Sequence, residues 1–149
     1  MYTPSTVTSA ELNEMLKRDS GPRMIDVRTP SEFETVHIPG AYNVPLDLLR
    51  EHRDEIAAHV DDDVVLVCRS GQRAGVAEEA LRRAGQTNVR VLDGGMIAWQ
   101  SEGFDTSHRT HRWDLKSQVR LVAGSLVLGG ALRSVAAQTL RWIAARKAR

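Results

Sequence analysis

One six-residue segment combines a nucleophile with two cations: Cys68-Arg69-Ser70-Gly71-Gln72-Arg73. It directly follows the apolar run Val64–Val67, and a helical pattern begins at Gly71. The thiolate is the nucleophilic form of cysteine, and helix N-termini and neighbouring arginines stabilise it. Free N–H groups at a helix N-terminus also bind anions. A lone cysteine is often only a small buried hydrophobe, but this position favours a reactive thiol beside an anion-binding loop.

Short apolar runs alternate with helical patterns before and after this segment. The strand predictions are Met24–Val27, Ala41–Val44, Val64–Val67 and Val89–Leu92. The helix predictions begin after Thr8, at Thr29, at Leu46, at Gly71 and at Met96. The first two have the spacing of capping boxes, with Glu11 and Glu32 three residues after the threonines. This alternation predicts an α/β fold, a doubly wound parallel sheet flanked by helices. Ligands bind such sheets at the carboxyl ends of the strands, where the cysteine segment lies.

The chain has 149 residues, and its charged residues are distributed unevenly between two segments. Residues 1–107 carry 11 Lys and Arg against 18 Asp and Glu, whereas residues 108–149 carry nine basic residues and one acidic residue. We therefore predict one α/β domain over 1–107 and a linker with a basic, partly apolar helical tail over 108–149. One cysteine excludes an internal disulfide. The first residues lack the pattern of a secretory signal, which predicts a cytoplasmic protein.

Four motifs together resemble the single-domain rhodaneses, a family of sulfurtransferases. The motifs are Asp26-Val27-Arg28 with Glu32-Phe33, His37 to Pro45, Cys68 to Arg73, and Leu92 to Met96 with Ala98-Trp99. They occur in family order at family spacing, and the resemblance covers nearly all of residues 7–104. Val36 departs from the pattern, since a glycine commonly precedes the histidine. The resemblance implies a rhodanese-like fold.

The resemblance also implies a mechanism. Cys68 would accept a sulfane sulfur as a persulfide, and the backbone N–H groups of residues 69–73 (Arg69, Ser70, Gly71, Gln72, Arg73) would hold its terminal sulfur. Arg73, with Arg69, would bind an anionic donor such as thiosulfate, and a thiol, sulfite or cyanide would take the sulfur away. Asp26 would order the active loop, a role compatible with capping its own turn. No cofactor and no metal are expected.

Two alternatives to this enzyme are open. A non-catalytic module could use the same fold to carry or sense sulfur for a partner. A phosphatase or an arsenate reductase is disfavoured, because the related phosphatases place one residue more between cysteine and arginine than the four of residues 69–72. His37 is interpreted as a structural residue that hydrogen-bonds the backbone of its own turn. Gly94-Gly95 is interpreted as a tight turn, and Trp99 as a residue that packs in the core under the loop. Nucleic-acid binding is not expected of an acidic, aromatic-poor domain.

The tail resembles the start of the anchor of membrane-linked rhodaneses over residues 118–128. Its uncharged run Leu121–Leu132 is too short to span a bilayer, which needs roughly 20 residues. Trp113 and Trp142 flank this run, and tryptophan favours membrane interfaces. We predict that residues 113–149 associate with the inner face of the cell membrane or form a contact between copies of the chain. Docking of the basic tail on the acidic domain is the alternative.

Overall fold

The computed structural model describes residues 2–108, which contain one five-stranded sheet in the order β1-β5-β4-β2-β3. All four strand pairings are parallel. The strands are β1 (Thr6–Val7), β2 (Arg23–Asp26), β3 (Tyr42–Asn43), β4 (Val64–Val67) and β5 (Val89–Leu92). The predicted parallel α/β sheet is therefore confirmed.

Helices occupy the connections between these strands, and a further helix follows β5. They are α1 (Ser9–Leu16), α2 (Pro30–Thr35), α3 (Leu46–Glu51), α4 (Arg53–His59), α5 (Gln72–Arg83) and α6 (Gly95–Ser101). Two of them begin with reciprocal capping boxes, as their sequences predict. The Thr8 hydroxyl accepts from the Glu11 amide at 3.1 Å, and the Thr29 hydroxyl accepts from the Glu32 amide at 3.3 Å.

Side chains of the sheet alternate between two packed layers. Val65 and Val67 of β4 belong to a cluster with residues of α1 and α6, including Leu12, Met96 and Trp99. The other face of the sheet is covered by α5, which contacts β4 and β5 and packs against α3 and α4. All four residues of β4 are buried, as expected of a central strand with helices on both faces. The doubly wound arrangement is thus confirmed.

Two local features differ from the sequence predictions. The short strand β1 was not predicted, because two residues at the sheet edge give no periodic signal. The helix predicted from Leu46 is two helices, since the backbone of His52 leaves the helical region with φ −107° and ψ 20°. Near the end of the predicted domain, Ser107 exchanges two backbone hydrogen bonds with His37.

The tail predictions fall on residues that lie outside 2–108. Within the described residues, no helix is both long enough and apolar enough to cross a bilayer. The division into 1–107 and 108–149 stays a prediction.

Candidate active site

Cys68 follows the last residue of β4 and is 1% exposed. The backbone N–H of Gly71 donates to its Sγ at 2.9 Å. Gly71 adopts φ +109°, a left-handed conformation that suits glycine, and it is the N-cap of α5. Arg69, Ser70 and Gln72 are exposed around this turn. The loop thus places a sulfur atom against a backbone donor at the start of a twelve-residue helix.

Backbone N–H groups in the first turn of α6 hold the backbone of this loop in place. The Met96 amide donates to the Cys68 carbonyl at 2.8 Å, and the Ile97 amide donates to the Arg69 carbonyl at 3.1 Å. A Cβ atom on Gly95 would lie 2.3 Å from the Cys68 carbonyl oxygen and 2.5 Å from that of Arg69. The sequence indicates a tight turn at Gly94-Gly95. The structure adds that Gly95 permits close approach of two backbones at the nucleophile.

Trp99 anchors the same helix in the core. It is 1% exposed, and its indole N–H donates to the carbonyl of Asp105 at 2.8 Å. Its ring contacts Phe104 with the centroids 5.0 Å apart. The prediction that Trp99 packs in the core is confirmed. Through α6, this core residue supports the backbone that carries Cys68.

Arg73 forms a two-pronged ion pair with Glu32 of α2. Its two terminal nitrogens donate to the two carboxylate oxygens at 2.8 and 2.9 Å. Glu32 also accepts from the amide of Thr29 at 2.9 Å and from its hydroxyl at 3.1 Å. The guanidinium of Arg73 is the main reason that the pKa of Glu32 falls to about 2, and Glu32 in turn raises the pKa of Arg73. The sequence indicates that Glu32 belongs to a family motif and a capping box, but no local signal indicates its contact with the active loop.

This ion pair predicts a pH dependence of folding. Because the folded-state pKa of Glu32 lies below its ordinary value of 4.5, its stabilisation is present above pH 4.5 and is lost as the pH falls toward about 2. We expect Glu32→Gln to lower the free energy of unfolding by about 1 kcal/mol near pH 7. Urea titrations should show this deficit shrink between pH 5 and pH 2, and a deficit independent of pH would contradict the prediction.

Asp26 ends β2 beside β4, in register with Val67, and is fully buried. Its carboxylate accepts from the Arg28 amide at 3.0 Å and from the Arg28 side chain, the closest at 2.8 Å. Arg28 also donates to the Val36 carbonyl at 2.6 Å. Asp26 therefore fixes the segment between β2 and α2. The hydrogen bonds of its carboxylate go to Arg28 rather than to residues 68–73, so its role in ordering the active loop stays a prediction.

His37 has the structural role that its motif indicates. Its Nδ1 lies 2.7 Å from the carbonyl oxygen of Phe33, and its ring stacks on the Phe33 ring with the centroids 3.9 Å apart. The interpretation as a residue that holds its own turn is confirmed. Among residues 2–108, no cluster of three or more His, Cys, Asp and Glu side chains could hold a metal ion.

Fold and motifs agree with the comparisons with known proteins. The model of the rhodanese-like domain matches residues 8–102, and the chain belongs to this family. It is 35% identical to the uncharacterized protein slr1261 of Synechocystis, over 87% of this chain and 73% of that protein. It is 33% identical to the chloroplastic thiosulfate sulfurtransferase 16 of Arabidopsis thaliana, over 69% of this chain and 92% of that protein.

A solved structure gives the same result for the fold. The rhodanese-related protein of Thermoplasma volcanium is 28% identical and superimposes with a TM-score of 0.61, over 69% of this chain and 97% of that one. Relatives named as sulfurtransferases place the chain in a sulfurtransferase family. The resemblance deduced from the four motifs is therefore confirmed.

Proposed function

We propose that this protein is a rhodanese-type sulfurtransferase that moves a sulfane sulfur through a persulfide on Cys68. The observation that carries the proposal is the hydrogen bond from the Gly71 N–H to Sγ at the start of α5. A backbone donor at a helix N-terminus stabilises a thiolate without supplying a competing nucleophile. The relative named thiosulfate sulfurtransferase supports the same chemistry.

The first half-reaction loads the enzyme. The Cys68 thiolate attacks the outer sulfur of thiosulfate, a new S–S bond forms, and the S–S bond of thiosulfate breaks. Its electron pair leaves with sulfite, so that no external oxidant or reductant is required. The negative charge comes to lie on the terminal sulfur of the persulfide, which the N–H groups of residues 69–73 would hold. Preformed donors of this kind stabilise developing charge without reorganisation.

The second half-reaction removes the sulfur from the enzyme. Cyanide, sulfite or a thiol attacks the terminal sulfur, the persulfide bond breaks, and its electron pair returns to Cys68 as the thiolate. Cyanide leaves as thiocyanate. The result is a ping-pong cycle with one covalent intermediate.

A thiosulfate:cyanide assay tests the proposal together with mass spectrometry of the protein after incubation with thiosulfate alone. The expected results are thiocyanate formation and a mass gain of one sulfur atom at Cys68. A persulfide that no small acceptor removes would support the carrier module instead. If neither product forms and the protein hydrolyses an aryl phosphate, the result supports the phosphatase hypothesis instead.

We also propose that the basic tail holds the protein at an anionic membrane surface. The support is its charge, since each Lys or Arg close to an anionic leaflet contributes about 1 kcal/mol. The full chain should sediment with phosphatidylserine-containing vesicles at low salt and be released at high salt. A chain that ends at His108 should stay in the supernatant. A full chain that stays in the supernatant at low salt would contradict membrane binding.

A further inference from the structure

The active loop contains two arginines in different electrostatic situations. Both terminal nitrogens of Arg73 are occupied by the Glu32 carboxylate. Arg69 is exposed, and within residues 2–108 it has no ion pair or side-chain hydrogen bond. A bound anion would therefore meet one uncompensated guanidinium and one guanidinium whose charge is already balanced.

Glu32 is itself held in place, so the pair does not open freely. Its carboxylate closes the capping box of α2 through Thr29 while it binds Arg73. The side chains of both Glu32 and Arg73 are 34% exposed, which leaves them partly shielded from solvent. An anion that recruited Arg73 would have to displace a carboxylate with two charge-assisted hydrogen bonds. Cys68 lies close enough to Arg73 for its thiolate to contribute to the raised pKa of Arg73, after the larger effect of Glu32.

We propose that Glu32 is a specificity-determining residue, which neutralises Arg73 and so favours singly charged sulfur donors over doubly charged ones. This inference rests on the proposed function. The favoured class comprises organic thiosulfonates and persulfides, whose sulfane sulfur carries one negative charge. The doubly charged comparison is thiosulfate. The physical reason is that the extra charge of a dianion gains little from a guanidinium that is already paired, while the Glu32 carboxylate repels it.

The activity test compares wild type with Glu32→Gln, using methanethiosulfonate and thiosulfate as donors and cyanide as acceptor. Both donors load Cys68 in the same way, with methanesulfinate or sulfite as the leaving group. Glutamine retains the capping-box geometry and removes the charge. We expect kcat/KM for thiosulfate to rise about three- to tenfold relative to methanethiosulfonate, and this change to shrink at high salt. An unchanged donor ratio overturns the inference.

Glu34→Gln is the matched control. Glu34 lies on the same helix, and in the described part of the chain it has no ion pair or side-chain hydrogen bond. Its substitution removes the same charge from α2 and leaves the Arg73 pair intact. The donor ratio of this variant should equal that of wild type. An equal rise in both variants would assign the effect to the general field of the acidic domain and overturn a specific role for Glu32.

A second measurement does not depend on sulfur transfer. Cys68 is the single cysteine of the chain, so its alkylation by anionic iodoacetate and by neutral iodoacetamide can be followed by mass spectrometry. Glu32→Gln should raise the ratio of the iodoacetate rate to the iodoacetamide rate about threefold or more. Glu34→Gln, which leaves the Arg73 pair intact, should leave this ratio as in wild type. An unchanged ratio of the two alkylation rates in Glu32→Gln contradicts the inference, whatever reaction the protein catalyses. Failure to form a persulfide, with the expected change in this ratio, contradicts only the proposed function.

Discussion

A Cys68→Ser variant is expected to lose sulfur transfer by at least about a thousandfold and to stay folded. A hydroxyl is a far weaker nucleophile toward sulfane sulfur than a thiolate, and loss of a covalent nucleophile costs an enzyme most of its rate acceleration. Serine is similar in size, and its oxygen can accept the Gly71 hydrogen bond that Sγ accepts at 2.9 Å. The kcat/KM for thiosulfate and the thermal midpoint Tm measure the two halves of this expectation.

Chemical modification of the wild-type protein provides the control. Because Cys68 is the single cysteine, iodoacetamide should block one site and abolish the same activity. The serine variant should be unaffected by the reagent and should gain no sulfur from thiosulfate. Turnover retained in Cys68→Ser would show that another group carries the sulfur.

The second large effect is expected at Gly95, which contacts the loop without taking part in the chemistry. Alanine there would place its Cβ 2.3 Å from the Cys68 carbonyl oxygen, so the loop or α6 must move. Displacing a nucleophile by about 1 Å costs on the order of a hundredfold in rate. We therefore expect Gly95→Ala to lower kcat/KM about a hundredfold, as measured in the thiosulfate:cyanide assay.

Gly103→Ala is the matched control for this variant. Gly95 and Gly103 both have positive φ, at +55° and +75°, so each alanine costs roughly 1 kcal/mol of backbone strain. A Cβ at Gly103 meets no atom within 4 Å. Activity in Gly95→Ala within about twofold of that in Gly103→Ala would show that the close approach to the loop does not matter for transfer.

The elements that carry the nucleophile could be predicted from the sequence because their signals are local. The apolar run Val64–Val67 forms the central strand, and the capping boxes at Thr8 and Thr29 start helices as expected. The left-handed conformation of Gly85, at φ +102°, also follows from its place after α5. These features depend on a few neighbouring residues and on the period of the apolar pattern.

The contacts that shape the site depend on residues far apart in the chain. Nothing near Arg73 indicates that Glu32, 41 positions earlier, occupies its guanidinium. The approach of Gly95 to the Cys68 carbonyl likewise needs the packing of α6 under the loop. Asp26 has a buried local partner in Arg28, and the role in ordering the active loop that the family resemblance implies for it stays a prediction. The reactive group can thus be found from the sequence, whereas the ion pairs of the charged side chains around it depend on tertiary packing.

The place of β1 in the sheet has a consequence for synthesis of the protein on the ribosome. Within residues 2–108, Thr6 and Val7 pair with Val91 and Leu92 of β5, so the earliest of the five strands in the chain has the latest of the five as its partner. The sheet therefore cannot be completed before β5 has left the ribosomal exit tunnel, and pairings between distant segments form slowly. Until then the edge of the nascent sheet that β5 will cover can pair with strands of other chains. The same edge is exposed in any shortened chain that stops before residue 89.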